Sequence, residues 1–150
     1  MSRTTISKDI LKRPPERQLR DAEHKALLIA EAARSKHAEG LVVFHVSDLT
    51  SLADYFIICS AESDPQIRAI VDVVQESLSK KKLWPLGVEG RDSGRWVLLD
   101  YDDVILHVFK DEARTFYNLD GLWGDAPQIP LPESSDAYHS GIDKKGGEAV

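Results

Sequence analysis

Four consecutive residues, Asp100-Tyr101-Asp102-Asp103, come nearest to an active site in this sequence. Side chains alternate along a strand, so Asp100 and Asp102 would share one face, an arrangement that holds magnesium in phosphoryl- and nucleotidyl-transfer enzymes. That chemistry also needs a Gly-Ser or basic element to grip a triphosphate, and none stands near them in sequence. A polar hairpin tip, or a docking patch for a basic partner, are the other readings of the same residues. The histidines His24, His37, His45, His107 and His139 are scattered and give no metal-ligand spacing. His107 falls in mid-strand, as a hydrogen-bonded structural imidazole or a catalytic one. Cys59 ends a strand with no base beside it and reads as a packing residue. Phosphate-cradling glycine loops, G-x-G-x-x-G, H-E-x-x-H and C-x-x-C are all absent.

Charge narrows the classes further. The 150 residues carry a net charge of −6, unevenly placed. Residues 1–20 hold six basic and two acidic side chains, residues 21–125 hold 11 and 19, and residues 126–150 hold two and four. A central segment of net −8 does not suit a protein whose main task is to coat nucleic acid or an anionic membrane. One cysteine forms no internal disulfide, and no apolar run reaches the roughly 20 residues that span a bilayer. The expectation is a soluble, single-domain protein of a reducing compartment. It has a basic flexible arm over 1–20, a folded domain over 21–125 and a Pro/Gly-containing, mostly disordered tail over 126–150.

The elements that must position these residues alternate. Ala26, Ile29, Ala30 and Ala33 recur at helical spacing between Asp21 and His37, with Gly40 placed to stop the helix. Residues 41–46 and 55–60 read as strands buried on both faces. Ser63 and Gln66 form a capping box, and Ile67, Ile70, Val71, Val74 and Leu78 follow as one apolar face. Lys80, Lys81 and Lys82 suit the negative end of that helix, and an RNA contact is the sharper reading. A short strand over 85–89 precedes a glycine-bounded turn at 90–94. Residues 96–101 and 104–109 then form strands joined at Asp102-Asp103, and Asp111 caps a last short helix. The result is an α/β fold, a mixed five-stranded sheet flanked by helices.

In combination these blocks resemble the ribosomal silencing factor (Iojap-like) family over roughly residues 22 to 127. The resemblance rests on Val46 to Ile58, Gln66 to Asp72, Glu89-Gly90, Trp96-Val97-Leu98-Leu99-Asp100-Tyr101 with Asp103-Val104, His107-Val108-Phe109, and Arg114 to Asp125. The family typically has glycine where Asp102 stands, aspartate at His45, Ser-Gly-Thr-Ser at residues 60–63 and commonly arginine at Pro65. Family membership implies a nucleotidyltransferase-like fold without the catalytic motif, no cofactor and no enzymatic activity. It implies binding to the large ribosomal subunit through universal ribosomal protein L-fourteen, which blocks joining of the small subunit and slows translation under nutrient limitation. It also implies a homodimer when free, and the expected compartment is the bacterial cytoplasm, with an organellar home left open by the residues alone. The alternative is a magnesium-dependent nucleotidyl- or phosphoryl-transfer enzyme using Asp100 and Asp102.

A negatively charged domain complements a basic ribosomal protein and is repelled by the surrounding phosphates. The expected docking surface is therefore the strand pair 96–109: Trp96, Leu98 and Tyr101 supply apolar area, Asp100, Asp102 and Asp103 supply charge, and His107 lies among them. Along an alternating strand either Trp96 and Leu98 or Val97 and Leu99 face the core, and the sequence leaves both open. Phe116, Tyr117, Leu122 and Trp123 are expected to pack the last helix.

Overall fold

The computed structural model describes residues 15–132, with side chains from Asp21 onward. Most of the expected arm and tail lies outside the described residues. The elements are α1 (Pro15–Arg34), β1 (Glu39–His45), β2 (Tyr55–Ala61), α2 (Asp64–Ser79), β3 (Gly87–Glu89), β4 (Trp96–Asp100), β5 (Val104–Lys110), α3 (Asp111–Tyr117) and α4 (Leu119–Leu122). The expected order is borne out, with one extra helical turn after α3 and with α1 beginning inside the segment assigned to the arm.

β2 and β5 form the centre of the sheet because their sequences are apolar at nearly every position, Ser60, His107 and the terminal Lys110 apart, so both faces can be covered. They pair in parallel, from Tyr55 opposite Val104 to Ala61 opposite Lys110. β1 and β4 add antiparallel on either side and β3 closes the far edge, giving the order β1-β2-β5-β4-β3. This is the mixed five-stranded sheet expected from sequence.

One face is covered by the two long helices. The α1 positions Ala22, Ala26, Ile29, Ala30 and Ala33 are buried there, and the small alanines let the helix lie close to the strands. The five expected apolar positions of α2, Ile67, Ile70, Val71, Val74 and Leu78, are buried on the same side. Its cap differs in one detail from the capping box: Ser63 accepts from the Gln66 amide, but the Gln66 carboxamide oxygen accepts from the amide of Glu62 rather than of Ser63. The freed Gln66 Nε2 donates to the carbonyls of Lys36 and His37, tying α2 to the turn between α1 and β1. Two other local readings change. The chain turns at His37 (φ 64), while Gly40 (φ 57) lies within β1, where the pairing register slips between Glu39 and Val42. Asp111 is the first residue of α3, whose N-cap is Lys110 without a side-chain bond.

The other face carries a smaller cluster of Phe44, Phe56, Ile58, Ile105 and Phe109, closed by Ala113, Leu119 and Trp123 of the α3–α4 region and by Ala126. Arg114 fixes this lid. Its Nε and Nη2 donate to the two carboxylate oxygens of Asp120, and Nη1 donates to the Glu39 carbonyl and Ser60 Oγ. A Cβ on Gly40 would stand 2.7 Å from that Nη1, so the glycine makes room for the guanidinium. The chain then stays on the sheet beyond 125, where sequence reading began the tail. His45 donates to the Pro127 carbonyl, Ile129 donates to the Val43 carbonyl, and Ile129 and Leu131 pack against the core. Prolines tolerate this edge position because Pro127 and Pro130 need no ladder partner there, while Ile129 supplies the one inward N–H.

Gly90 (φ 85) marks the point where β3 leaves the sheet, and a Cβ there would fall 2.0 Å from the Trp96 carbonyl oxygen. Gly90→Ala is expected to cost about 2 kcal/mol or more in urea denaturation, since both the conformation and the space exclude a side chain. Gly87→Ala, where nothing lies within 4 Å, is expected to change stability by under about 0.5 kcal/mol.

Candidate protein-docking face

The α1–α2 layer resolves the alternation of β4. Val97 and Leu99 are buried beneath the helices, so Trp96, Leu98 and Asp100 point to the opposite side, where α3 and α4 cover β1, β2 and β5 but leave β4 half open. Tyr101 continues the parity of Val97 and Leu99. It is 3 % exposed in the helix-covered core, and burial pushes its phenol up to about 12. The structure therefore removes Tyr101 from the expected surface.

The three aspartates separate in role. β4 ends at Asp100, and Asp102 sits in the turn at φ 75. The strand periodicity that would place Asp100 and Asp102 on one face does not extend to Asp102. Its amide instead donates to Asp100 Oδ1 at 2.8 Å, an interaction that holds a non-glycine residue in the left-handed region. The turn is closed by the Tyr101 amide donating to the Val104 carbonyl. Asp103 faces α1, where Lys25 Nζ meets its Oδ1 at 2.6 Å and also donates to the Tyr101 carbonyl. The Asp103 carbonyl accepts from the amides of Asp54 and Tyr55. Burial, followed by the charge of Asp103, holds the Asp54 carboxyl above its ordinary range. Among the described residues no three His, Cys, Asp or Glu side chains are grouped to hold a metal ion. A cleft of about 270 Å³ between α2 and the 90–94 loop does hold Arg68 and Arg91, but Val97 lines it, so it opens on the helix side of β4, away from Asp100.

His107 lies under the open face rather than on it. It is buried opposite Leu98 on β5, and its Nδ1 accepts from Trp96 Nε1 at 3.2 Å. The indole N–H only donates, so Nδ1 is unprotonated and the neutral ring carries its proton on Nε2. That Nε2 has no hydrogen-bond partner among the described residues, and burial pushes the imidazole down to about 4. Trp96 is thereby held by its edge, while its ring packs between Phe109 (centroids 4.9 Å) and Tyr117 (4.8 Å).

The sequence missed how this aromatic group continues outward. Trp123 packs on Phe56 as expected, but Phe116 is 74 % exposed and Leu122 is 70 % exposed. Phe116 meets Tyr117 edge to face at 5.1 Å, and Tyr117 in turn meets Trp96, so three rings run from the sheet to the surface. A signal was present: α3 has seven residues and buries only Ala113, too short a helix to cover Phe116 and Tyr117 as well. The candidate face is thus Trp96, Leu98, Tyr117 and Phe116 with Asp100 at the hairpin end. Exposed large apolar side chains in continuous contact mark an interaction surface.

The sequence matches the family profile described as "Ribosomal silencing factor during starvation" over residues 19–148. It is 39 % identical over 104 residues to the ribosomal silencing factor RsfS of Bacillus subtilis, an alignment covering 69 % of this chain and 88 % of that protein. It is 38 % identical over 114 residues to the chloroplastic protein Iojap of Arabidopsis thaliana, covering 75 % of this chain and 48 % of that one. A crystal structure of a Chromobacterium violaceum protein superposes with a TM-score of 0.66 at 29 % identity, covering 79 % of this chain and 98 % of that chain.

The buried imidazole carries a pH dependence. The unfolded histidine takes up a proton near pH 6.5 and the folded one only near 4. Stability from neutral burial is therefore complete above pH 6.5, is lost as pH falls from 6.5 to 4, and changes no further below. The loss is on the order of 3 kcal/mol. His107→Gln, which keeps an acceptor for Trp96, is expected to flatten that part of the curve of urea midpoint against pH.

Proposed function

The chain belongs to the ribosomal silencing factor family, and from that premise we propose that it represses translation by docking on the large ribosomal subunit. The contact we infer is universal ribosomal protein L-fourteen, and occupying it blocks joining of the small subunit, chiefly under nutrient limitation. In this reading the protein is a cytoplasmic binding protein, a homodimer when free, and its aspartates serve as docking charges rather than as metal ligands.

The observation that carries the reading is the open side of β4. A half-buried apolar strip of Trp96 and Leu98, extended by Tyr117 and Phe116, ends at the acidic hairpin of Asp100 and Asp102. The strip supplies desolvated area, and the net charge of −8 over residues 21–125 supplies sign: it attracts a basic ribosomal protein and discourages approach to bare RNA. His107 supports the strip from below by fixing the indole. The transferase reading has less support, because Asp102 is off the strand, Asp100 Oδ1 already accepts a backbone bond, and the arginine-lined cleft opens on the opposite side.

Co-sedimentation with purified large subunits tests this. Leu98→Arg is expected to weaken binding tenfold or more, about 1.4 kcal/mol, and to restore subunit joining in proportion. Asp100→Asn is expected to weaken it less, with the effect fading as salt rises. Glu31→Gln, on the exposed side of α1, should bind as the native chain does. A folded Leu98→Arg variant that sediments with subunits as tightly as the native chain would overturn the assignment of this face.

A further inference from the structure

The segment after α2 has a character unlike the rest of the domain. α2 ends at Ser79 with Lys80 as its cap, so one lysine suffices to meet the negative helix end and Lys81 and Lys82 lie past it. All three lysines are exposed, and among the described residues none forms an ion pair. The chain reverses at Lys82 (φ 61), which turns Leu83 inward against the core and leaves Trp84 outside, 63 % exposed. Two residues later the Leu86 amide donates to the Asp100 carbonyl, so this basic, aromatic prong stands beside the hairpin end of the docking face. An exposed tryptophan next to ammonium groups that form no ion pair among the described residues is the composition of a platform that stacks a base and pairs with its phosphates. On a domain of net −8, it is a local basic foothold for RNA.

We propose that Lys80–Trp84 is a separate contact for RNA: Trp84 stacks on an unpaired base while Lys80, Lys81 and Lys82 pair with flanking phosphates. Stacking and phosphate pairing carry no base readout, so the contact is independent of sequence. It deepens the docking reading by naming a second partner beside the first, and free RNA tests it without ribosomes, so either can fail alone.

Single-stranded and duplex RNA of equal length and poly-glutamate are titrated against the full chain, read by tryptophan fluorescence and by anisotropy of labelled RNA over a salt series. Single-stranded RNA is expected to bind and quench, and Trp84→Leu to remove the quench and weaken binding roughly tenfold. Replacing Lys80, Lys81 and Lys82 together by Gln is expected to weaken binding at least tenfold at low salt and to lower the slope of log K against log salt by about 2. Arg95→Gln, which removes one exposed cation at the far end of β4, should stay within twofold. Binding that survives the lysine replacement would assign the RNA contact to the basic residues of 1–20 and overturn the proposal. So would equal affinity for the duplex, absence of quenching, or poly-glutamate binding the same lysines more tightly than RNA.

Discussion

A sheet whose central strands are apolar on both sides has two faces to cover, and this chain has long helices for only one. Exposed apolar surface costs roughly 25 cal/mol per Å² relative to burial, so the uncovered side dominates what the domain can do. α1 and α2 cover one side. The other is roofed by a seven-residue helix, a single further turn and a short return of chain, which reach across β1, β2 and β5 and cover β4 in part, with Tyr117 on Trp96. The open strip at Trp96 and Leu98 follows from that shortage.

Two groups keep the incomplete roof rigid. Arg114 joins α3 to α4 through Asp120 and both to the first two strands, a fork of fixed geometry that a lysine could not reproduce. The same contact holds the Asp120 carboxyl below its ordinary range. His107 does for Trp96 what Arg114 does for the roof. It accepts the indole N–H inside the sheet and leaves the ring edge fixed at the surface. A strip pinned this way loses little side-chain freedom when a partner covers it, which favours association.

How much of this was legible depends on whether the deciding contact was local. α2 was readable because its cap, proline and apolar spacing lie within one segment. The face of β4 was not, because Trp96 and Leu98 are as apolar as Val97 and Leu99 and the choice is made by helices far away in sequence. Tyr101 was legible, since alternation alone sets it with Val97 and Leu99 and opposite Trp96 and Leu98; Asp102 was not, because nothing in Asp100-Tyr101-Asp102-Asp103 says that pairing ends at Asp100. The glycine typical of the family at position 102 was the available hint, since the φ of 75 found there is one glycine adopts freely. The stretch 126–132 reads as a tail because its prolines signal loop, while its packing depends on an edge strand some eighty residues earlier.

Sign and shape then divide the labour on the proposed partner surface. Charges at the rim, Asp100 and Asp102 among them, act over about a Debye length and guide approach, yet each contributes little once solvated. Apolar side chains act only in contact and cannot tell one partner from another at a distance. An apolar strip on a positively charged body would adhere to RNA wherever it met it. Placing the strip on an acidic body means that phosphate-rich surfaces are repelled before contact, so desolvation is realised only against a basic protein face. The proposed prong at Lys80–Trp84 does not undo this selection, because three lysines and one ring at one end of the domain leave the rest of the docking face acidic.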